Sequence, residues 1–107
     1  MRAGDVDGLL AVLDPDVVRR ADRVGVPGAA TELRGSTAVV RKALTHTDLA
    51  QFAQPILVNG SVGIVVAPGG RPRLVISCTV KGGKIVEMEV IADPARVQKL
   101  NLTVLRD

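Results

Sequence analysis

The chain has 107 residues, enough for one domain around a single core and too few for two. Hydrophobic residues make up 47% of it, yet Phe52 is the only aromatic, so Val, Leu, Ile and Ala must build the core and no stacking platform for bases exists. The net charge of +3 comes from scattered residues such as Arg19, Arg20, Arg23, Arg34, Arg41, Lys42, Arg71 and Arg73, which read as solvated basic surface and exclude direct nucleic-acid binding as the leading role.

No apolar run approaches the roughly 18 residues of a membrane span, and Met1-Arg2-Ala3-Gly4-Asp5 opens no signal-peptide core. A single Cys78 cannot form an internal disulfide, and its apolar strand suits a buried thiol in a reducing compartment. The expected location is therefore the cytoplasm, with no membrane partner.

Val6, Leu9, Leu10 and Leu13 fall at i, i+3, i+4, i+7 and predict a short amphipathic helix over 5–13. Asp14-Pro15-Asp16 should end it, and residues 16–22 should form a strand with Arg19 and Arg20 on opposite faces. Residues 23–31 read as a loop from their Gly and Pro content, followed by a short edge strand. Gly35-Ser36-Thr37 begins a second helix, 36–47, with Val40, Ala43, Leu44 and Thr47 along one stripe.

Residues 52–59 and 62–67 should pair around Asn59-Gly60, a strong type I′ hairpin signal. Pro68-Gly69-Gly70-Arg71-Pro72 turns into two β-branched runs, Leu74–Val80 and Ile85–Ile91, joined by Lys81-Gly82-Gly83-Lys84. Asp93 as N-cap and Pro94 at the first helical position then start a terminal helix.

The order predicts an α+β fold: residues 52–92 as a four-stranded antiparallel meander, curved over the N-terminal helices as a half-open cone. A first helix of about two turns covers little of such a sheet. The chain is thus expected to be clipped at its N-terminus, and apolar sheet left exposed should drive formation of a homodimer.

Several segments together resemble the SnoaL-like group of the nuclear transport factor 2-like superfamily. They resemble in particular the C-terminal extension of certain extracytoplasmic-function RNA polymerase sigma factors. The residues are Arg2-Ala3-Gly4-Asp5-Val6-Asp7-Gly8-Leu9-Leu10, Leu13-Asp14-Pro15-Asp16-Val17-Val18, Arg20-Ala21-Asp22, Arg34-Gly35, Val58-Asn59-Gly60, Gly63-Ile64-Val65-Val66-Ala67-Pro68 and Gly83-Lys84-Ile85 through Asp93-Pro94. The resemblance implies a single domain over 1–107, part of a longer sigma factor. It also implies a cone-shaped fold and a non-catalytic role that tunes the sigma core and RNA polymerase by contact.

Two departures stand out. After Ala21-Asp22 the family carries a glycine-rich run ending in a basic residue, where this chain has Arg23-Val24-Gly25-Val26-Pro27-Gly28. Near the end the family shows an Asn-Pro-Asp-Lys-Leu-like motif, where this chain has Ala92-Asp93-Pro94-Ala95-Arg96-Val97. Both elements look like contact elements in the family, which makes Asp22, Asp93 and Arg96 the partner-contact candidates.

His46, the only histidine, could act as a general base with Asp22, but a histidine interacting with a helix C-terminus is the preferred reading. Glu87 and Glu89 alternate with Val86, Met88 and Val90, and a solvated or dimer-forming face is preferred over an acid–base pair. Arg19 and His46 are the candidate polar groups of a cavity, and an inward Arg19 would need Asp22 or an anionic ligand.

One His and one Cys leave no metal shell, the glycine turns lack the residues of a phosphate loop, and no cofactor is expected. The strand face carrying Val86, Met88, Val90, Leu74, Ile76 and Cys78 is almost wholly apolar, which disfavours proton transfer and suits packing or an apolar small molecule. No catalytic residue is assigned. The alternative function is a small-molecule binder or a cyclase- or isomerase-like enzyme of the SnoaL type, because the fold supports both.

Overall fold

Seven strands make one sheet in the computed structural model, which describes residues 6–22, 30–45 and 51–104 of the chain. Helix α1 (Val6–Val12) leads into β1 (Leu13–Asp22), β2 (Ala30–Arg34) and α2 (Ser36–Leu44). Strands β3 (Ala53–Val58), β4 (Ser61–Val66), β5 (Leu74–Lys81) and β6 (Lys84–Ile91) follow, then α3 (Pro94–Gln98) and β7 (Leu102–Val104). The order across the sheet is β2-β1-β6-β5-β4-β3-β7, antiparallel except for the parallel pair β1–β6.

The expected meander is present as β3 to β6, and its turns have the backbone the sequence asks for. Asn59 and Gly60 lie at φ 49° and 87°, and Gly82 and Gly83 at 58° and 77°, so both two-residue turns run through the left-handed region. Gly63 is needed for a different reason: a Cβ there would overlap the Ile76 carbonyl oxygen and lie 2.8 Å from Val58 Cγ2.

Several expectations need correction. Asp14-Pro15-Asp16 does not separate helix from strand, since β1 begins at Leu13 and runs through it. The β1–β6 register shifts between Leu13 and Val18, and proline, which has no N–H to give a ladder, is tolerated at such an irregularity. The buried residues of α2 are Val39 and Val40, whereas Ala43 and Leu44 are exposed; Thr47 lies outside the described residues. The β5–β6 register shifts between Thr79 and Val80, so Ile85 rather than Val86 pairs with Val80 and takes the helix-side place.

Strand β7 is not among the expected elements. It pairs with β3 and is fastened by Asn59, whose N–H donates to the Asn101 carbonyl at 2.8 Å while its Oδ1 accepts from the Asn101 N–H at 2.8 Å. A three-residue strand carries almost no periodic signal.

Two apolar clusters occupy opposite faces of the sheet. On one face Ile56, Val58, Val65, Val75 and Ile91 pack under Val97 of α3, with Ala67, Leu100 and Leu102 around them. On the other, Leu13 and Val17 of β1 pack with Val39 and Val40 of α2, joined by Leu33, Ile85 and Met88. Among the described residues, the contacts of α1 and α2 with the sheet are mainly with β1 and β2, with Ile85 and Met88 of β6 joining the same cluster, rather than with the meander as a whole.

Candidate functional site

The end of β1, the end of β6 and the start of α3 meet at one point, and three of the candidate residues meet there with them. Asp22 closes β1 with its side chain only 8% exposed. One carboxylate oxygen accepts the Ala92 N–H at 2.9 Å, and the other accepts the Asp93 N–H at 3.2 Å. Arg96 reaches back from α3 and donates to Asp22 at 3.3 Å and to Glu89 at 3.2 Å. Asp93 caps the helix as the sequence implies, its Oδ1 accepting from the Ala95 N–H at 3.0 Å and its carbonyl accepting from Val97 N–H at 2.9 Å.

This arrangement fixes what each residue does. Asp22 is a structural acceptor: it satisfies two backbone N–H groups where the chain leaves the ladder, groups that would otherwise be stranded half-buried. Its oxygens are committed, which makes it a poor general base. Arg96 remains 47% exposed while holding two carboxylates, so its guanidinium both locks the junction and faces outward.

Beside the junction lies a groove of about 520 Å³ between the turn after β4 and α3. Arg71 and Arg73 stand over a floor that includes Pro72, Ala92, Pro94 and Val97, and no carboxylate lines it among the described residues. An apolar floor with a basic rim is suited to an extended segment that carries acidic side chains.

Arg19 is placed elsewhere. Residues 19 and 22 differ by an odd number along one strand, so their side chains leave opposite faces of the sheet. Asp22, one of the two candidate partners of an inward Arg19, is therefore not within its reach. Arg20, on the Asp22 face, pairs with Glu32 at 3.2 Å, and Glu32 also accepts from Arg34 at 2.7 Å. Arg19 sits on the helix side in the row Leu33–Arg19–Met88–Cys78, half-buried and without a hydrogen bond or ion pair among the described residues. Burial alone pushes its guanidinium pKa down.

Glu87 and Glu89 are exposed on the opposite face and line a shallow polar hollow of about 180 Å³ with Arg20, Ser77 and Thr79. Burial raises the Cys78 thiol pKa, which leaves it a poor nucleophile. His46 lies outside the described residues. Among the described residues no group of His, Cys, Asp and Glu could hold a metal ion, and no helix is long and apolar enough to cross a membrane.

The groove's arginines are what sequence reasoning missed. Pro68-Gly69-Gly70-Arg71-Pro72 reads only as a turn, and nothing in it says that the turn faces α3.

No family model matches the chain. Over 108 aligned positions it is 36% identical to the ECF RNA polymerase sigma factor SigJ of Mycobacterium tuberculosis, covering 88% of this chain and 34% of that protein. The crystal structure of Mycobacterium tuberculosis SigJ superposes with a TM-score of 0.70 at 31% identity, over 90% of this chain and 39% of that one. The proposed polyketide cyclase of Sinorhizobium meliloti superposes with a TM-score of 0.55 at 29% identity, over 80% and 81% of the two chains. The chain thus spans about a third of the length of the curated relative it matches.

Proposed function

The chain is a SnoaL-like domain of the nuclear transport factor 2-like superfamily that resembles the C-terminal extension of an extracytoplasmic-function sigma factor, and on that premise we propose that it is a non-catalytic regulatory domain of such a factor. It modulates transcription by contact with the sigma core and, through it, with RNA polymerase. The observation that carries this reading is the match to SigJ over 88% of the chain. The contact surface is the outward side of Arg96 with the neighbouring groove of Arg71 and Arg73. Charged rims of this kind set partner choice and orientation. Asp22 and Asp93 serve it by holding the strand–helix junction in place. The protein works in the cytoplasm, where its partner works.

The test is transcription from the factor's target promoter with reconstituted polymerase. Arg96→Glu and the double variant Arg71→Glu/Arg73→Glu should change promoter output at least about threefold while the domain's far-ultraviolet circular dichroism stays unchanged. Wild-type output from both variants, together with loss of a small-molecule conversion in His46→Ala, would establish the enzyme reading instead.

A second reading concerns a ligand. Past Met88 and the buried Cys78 the helix-side face continues as Ile76 and Ile64, with Val62 and Val80 about half exposed at 55% and 49%. Such a strip suits a small apolar molecule. Self-association as a homodimer would use the other face, where the Arg34–Glu32–Arg20 chain alternates in sign beside Glu87 and Glu89 and is complementary to a second copy of itself.

A further inference from the structure

We propose that two copies of this chain join edge to edge through β2, antiparallel and centred on Leu33, so that the sheet of one runs on into the sheet of the other. The inference rests on the self-association reading above and adds where the copies meet and in what register.

The sheet ends in two edges, β2 and β7. Strand β7 is three residues long, and an edge that short offers little to pair with. Strand β2, Ala30–Arg34, has five residues without a proline and pairs with β1 in unbroken register, from Val18 opposite Arg34 to Asp22 opposite Ala30. The Gly35 N–H donates at 2.8 Å to the carbonyl of Val17, which the same register places opposite it. Backbone groups alternate in direction along an antiparallel strand, so Thr31 and Leu33 turn theirs towards β1 as Gly35 does. Ala30, Glu32 and Arg34 turn theirs outward, and among the described residues no strand takes them.

A second β2 fits this edge in one register. With the two Leu33 residues opposite each other, Glu32 falls opposite Arg34 of the second copy, and Arg34 opposite its Glu32. The outward amides and carbonyls of these residues then face one another, as a hydrogen-bonded pair requires. Their side chains leave the face away from the helices, the face of Arg20, so each carboxylate meets a guanidinium across the edge.

Within one chain Arg34 holds Glu32 at 2.7 Å with its own side chain 71% exposed, a pair worth little in water and readily exchanged for the one across the edge. Glu32 keeps Arg20 on its other side at 3.2 Å. On the helix side the two Leu33 side chains form the closer, non-hydrogen-bonded pair beside the cluster of Val39 and Val40. A register centred on Glu32 would set like charges opposite each other and is disfavoured. Charge on an edge strand ordinarily keeps copies apart. Here its order along the strand is self-complementary. One short strand from each copy buries less than the about 1,000 Å² of a stable interface, so the dimer is weak and its population follows concentration.

Sedimentation velocity of the 107-residue chain should show a reversible dimer that grows between about 10 μM and 1 mM. Arg34→Glu and Glu32→Arg, which set like charges across the edge, should each raise Kd at least about tenfold with unchanged circular dichroism. An equimolar mixture of the two variants should regain the wild-type Kd within about threefold, because each supplies the charge the other needs. Should Glu32→Arg fail to fold, Arg34→Glu still decides, since its side chain is the more exposed of the two. Amide exchange reads the backbone: with rising concentration the Glu32 and Arg34 amides should slow, while those of Thr31 and Leu33, turned towards β1, stay as they are. A dimer whose Glu32 and Arg34 amides exchange as in the monomer, or whose Kd neither variant moves, overturns edge pairing and leaves self-association standing through another surface. Weakening by the single variants with no recovery in the mixture overturns the register. A chain that stays monomeric up to about 1 mM ends both readings.

Discussion

On one face of the sheet, Ile56, Val58, Val65, Val75 and Ile91 are closed by two-residue hairpins and by a five-residue helix that follows the last strand directly. On the other, Leu13, Val17, Val39 and Val40 depend on β1 finding β6, a parallel pairing between opposite ends of the chain. Both clusters are aliphatic, and both contain residues almost wholly removed from water. They differ in how their neighbours are brought together. The first is assembled by contacts local in sequence, the second by one long closure whose entropy must be met before packing rewards it. The functional features divide in the same way: the locked junction and its groove belong to the first cluster, and the lone Arg19 to the second.

The largest expected effect comes from emptying the two clusters in turn. Ile56→Ala, at a site with no exposed surface and neighbours on all sides, should cost about 4 kcal/mol. Leu13→Ala, at a site 2% exposed where the β1–β6 register is irregular, should cost less, about 2–3 kcal/mol, because the less regular surroundings can settle into the space. Urea unfolding followed by circular dichroism measures both. Equal losses would mean that the two clusters are equally rigid.

A smaller effect is expected where the junction is held. Asp22→Asn removes the charge that Arg96 and two backbone N–H groups share, and should cost about 1–2 kcal/mol. Amide exchange of Ala92 and Asp93 should speed up in this variant while that of Val75 stays slow. Faster exchange across the whole meander would show that the junction stabilises far more than its own corner.

How much of this could be read from the sequence follows the same division. Asn59-Gly60, Gly82-Gly83 and Asp93-Pro94 are short signals with one dominant physical meaning, and each produced the turn or cap it implies. Pro15 misled because a proline that stops a helix is equally at home at a strand irregularity. The single residue added in β6 could not be foreseen, and it moved Ile85 into the place expected of Val86. At the site, Asp22, Asp93 and Arg96 were legible as separate residues, but their mutual bonding spans β1 and α3 and needs the fold to be known. Arg19 is the converse case: its face followed from simple alternation, whereas its lack of a hydrogen bond or ion pair among the described residues could only be seen in three dimensions.

The smallest effect expected is a pH dependence at Cys78. Burial raises this thiol's pKa in the folded state, so the folded chain keeps its proton to higher pH than the unfolded chain does. The resulting stabilisation is complete below the ordinary thiol range and fades as pH rises through the raised value. Between about pH 8 and pH 10 the wild-type chain should therefore lose more stability than Cys78→Val, by up to about 1 kcal/mol. Parallel pH profiles of the two proteins would place this thiol in the solvent instead.

Contact between this domain and a sigma core is most directly tested by amide hydrogen exchange, comparing the isolated 107-residue chain with the same residues inside the full-length factor. The account predicts slower exchange in the full-length factor at residues 68–73 and 92–98, the two sides of the groove, with the hairpin at Lys81–Lys84 unchanged. Identical exchange at every residue in the two settings would contradict it.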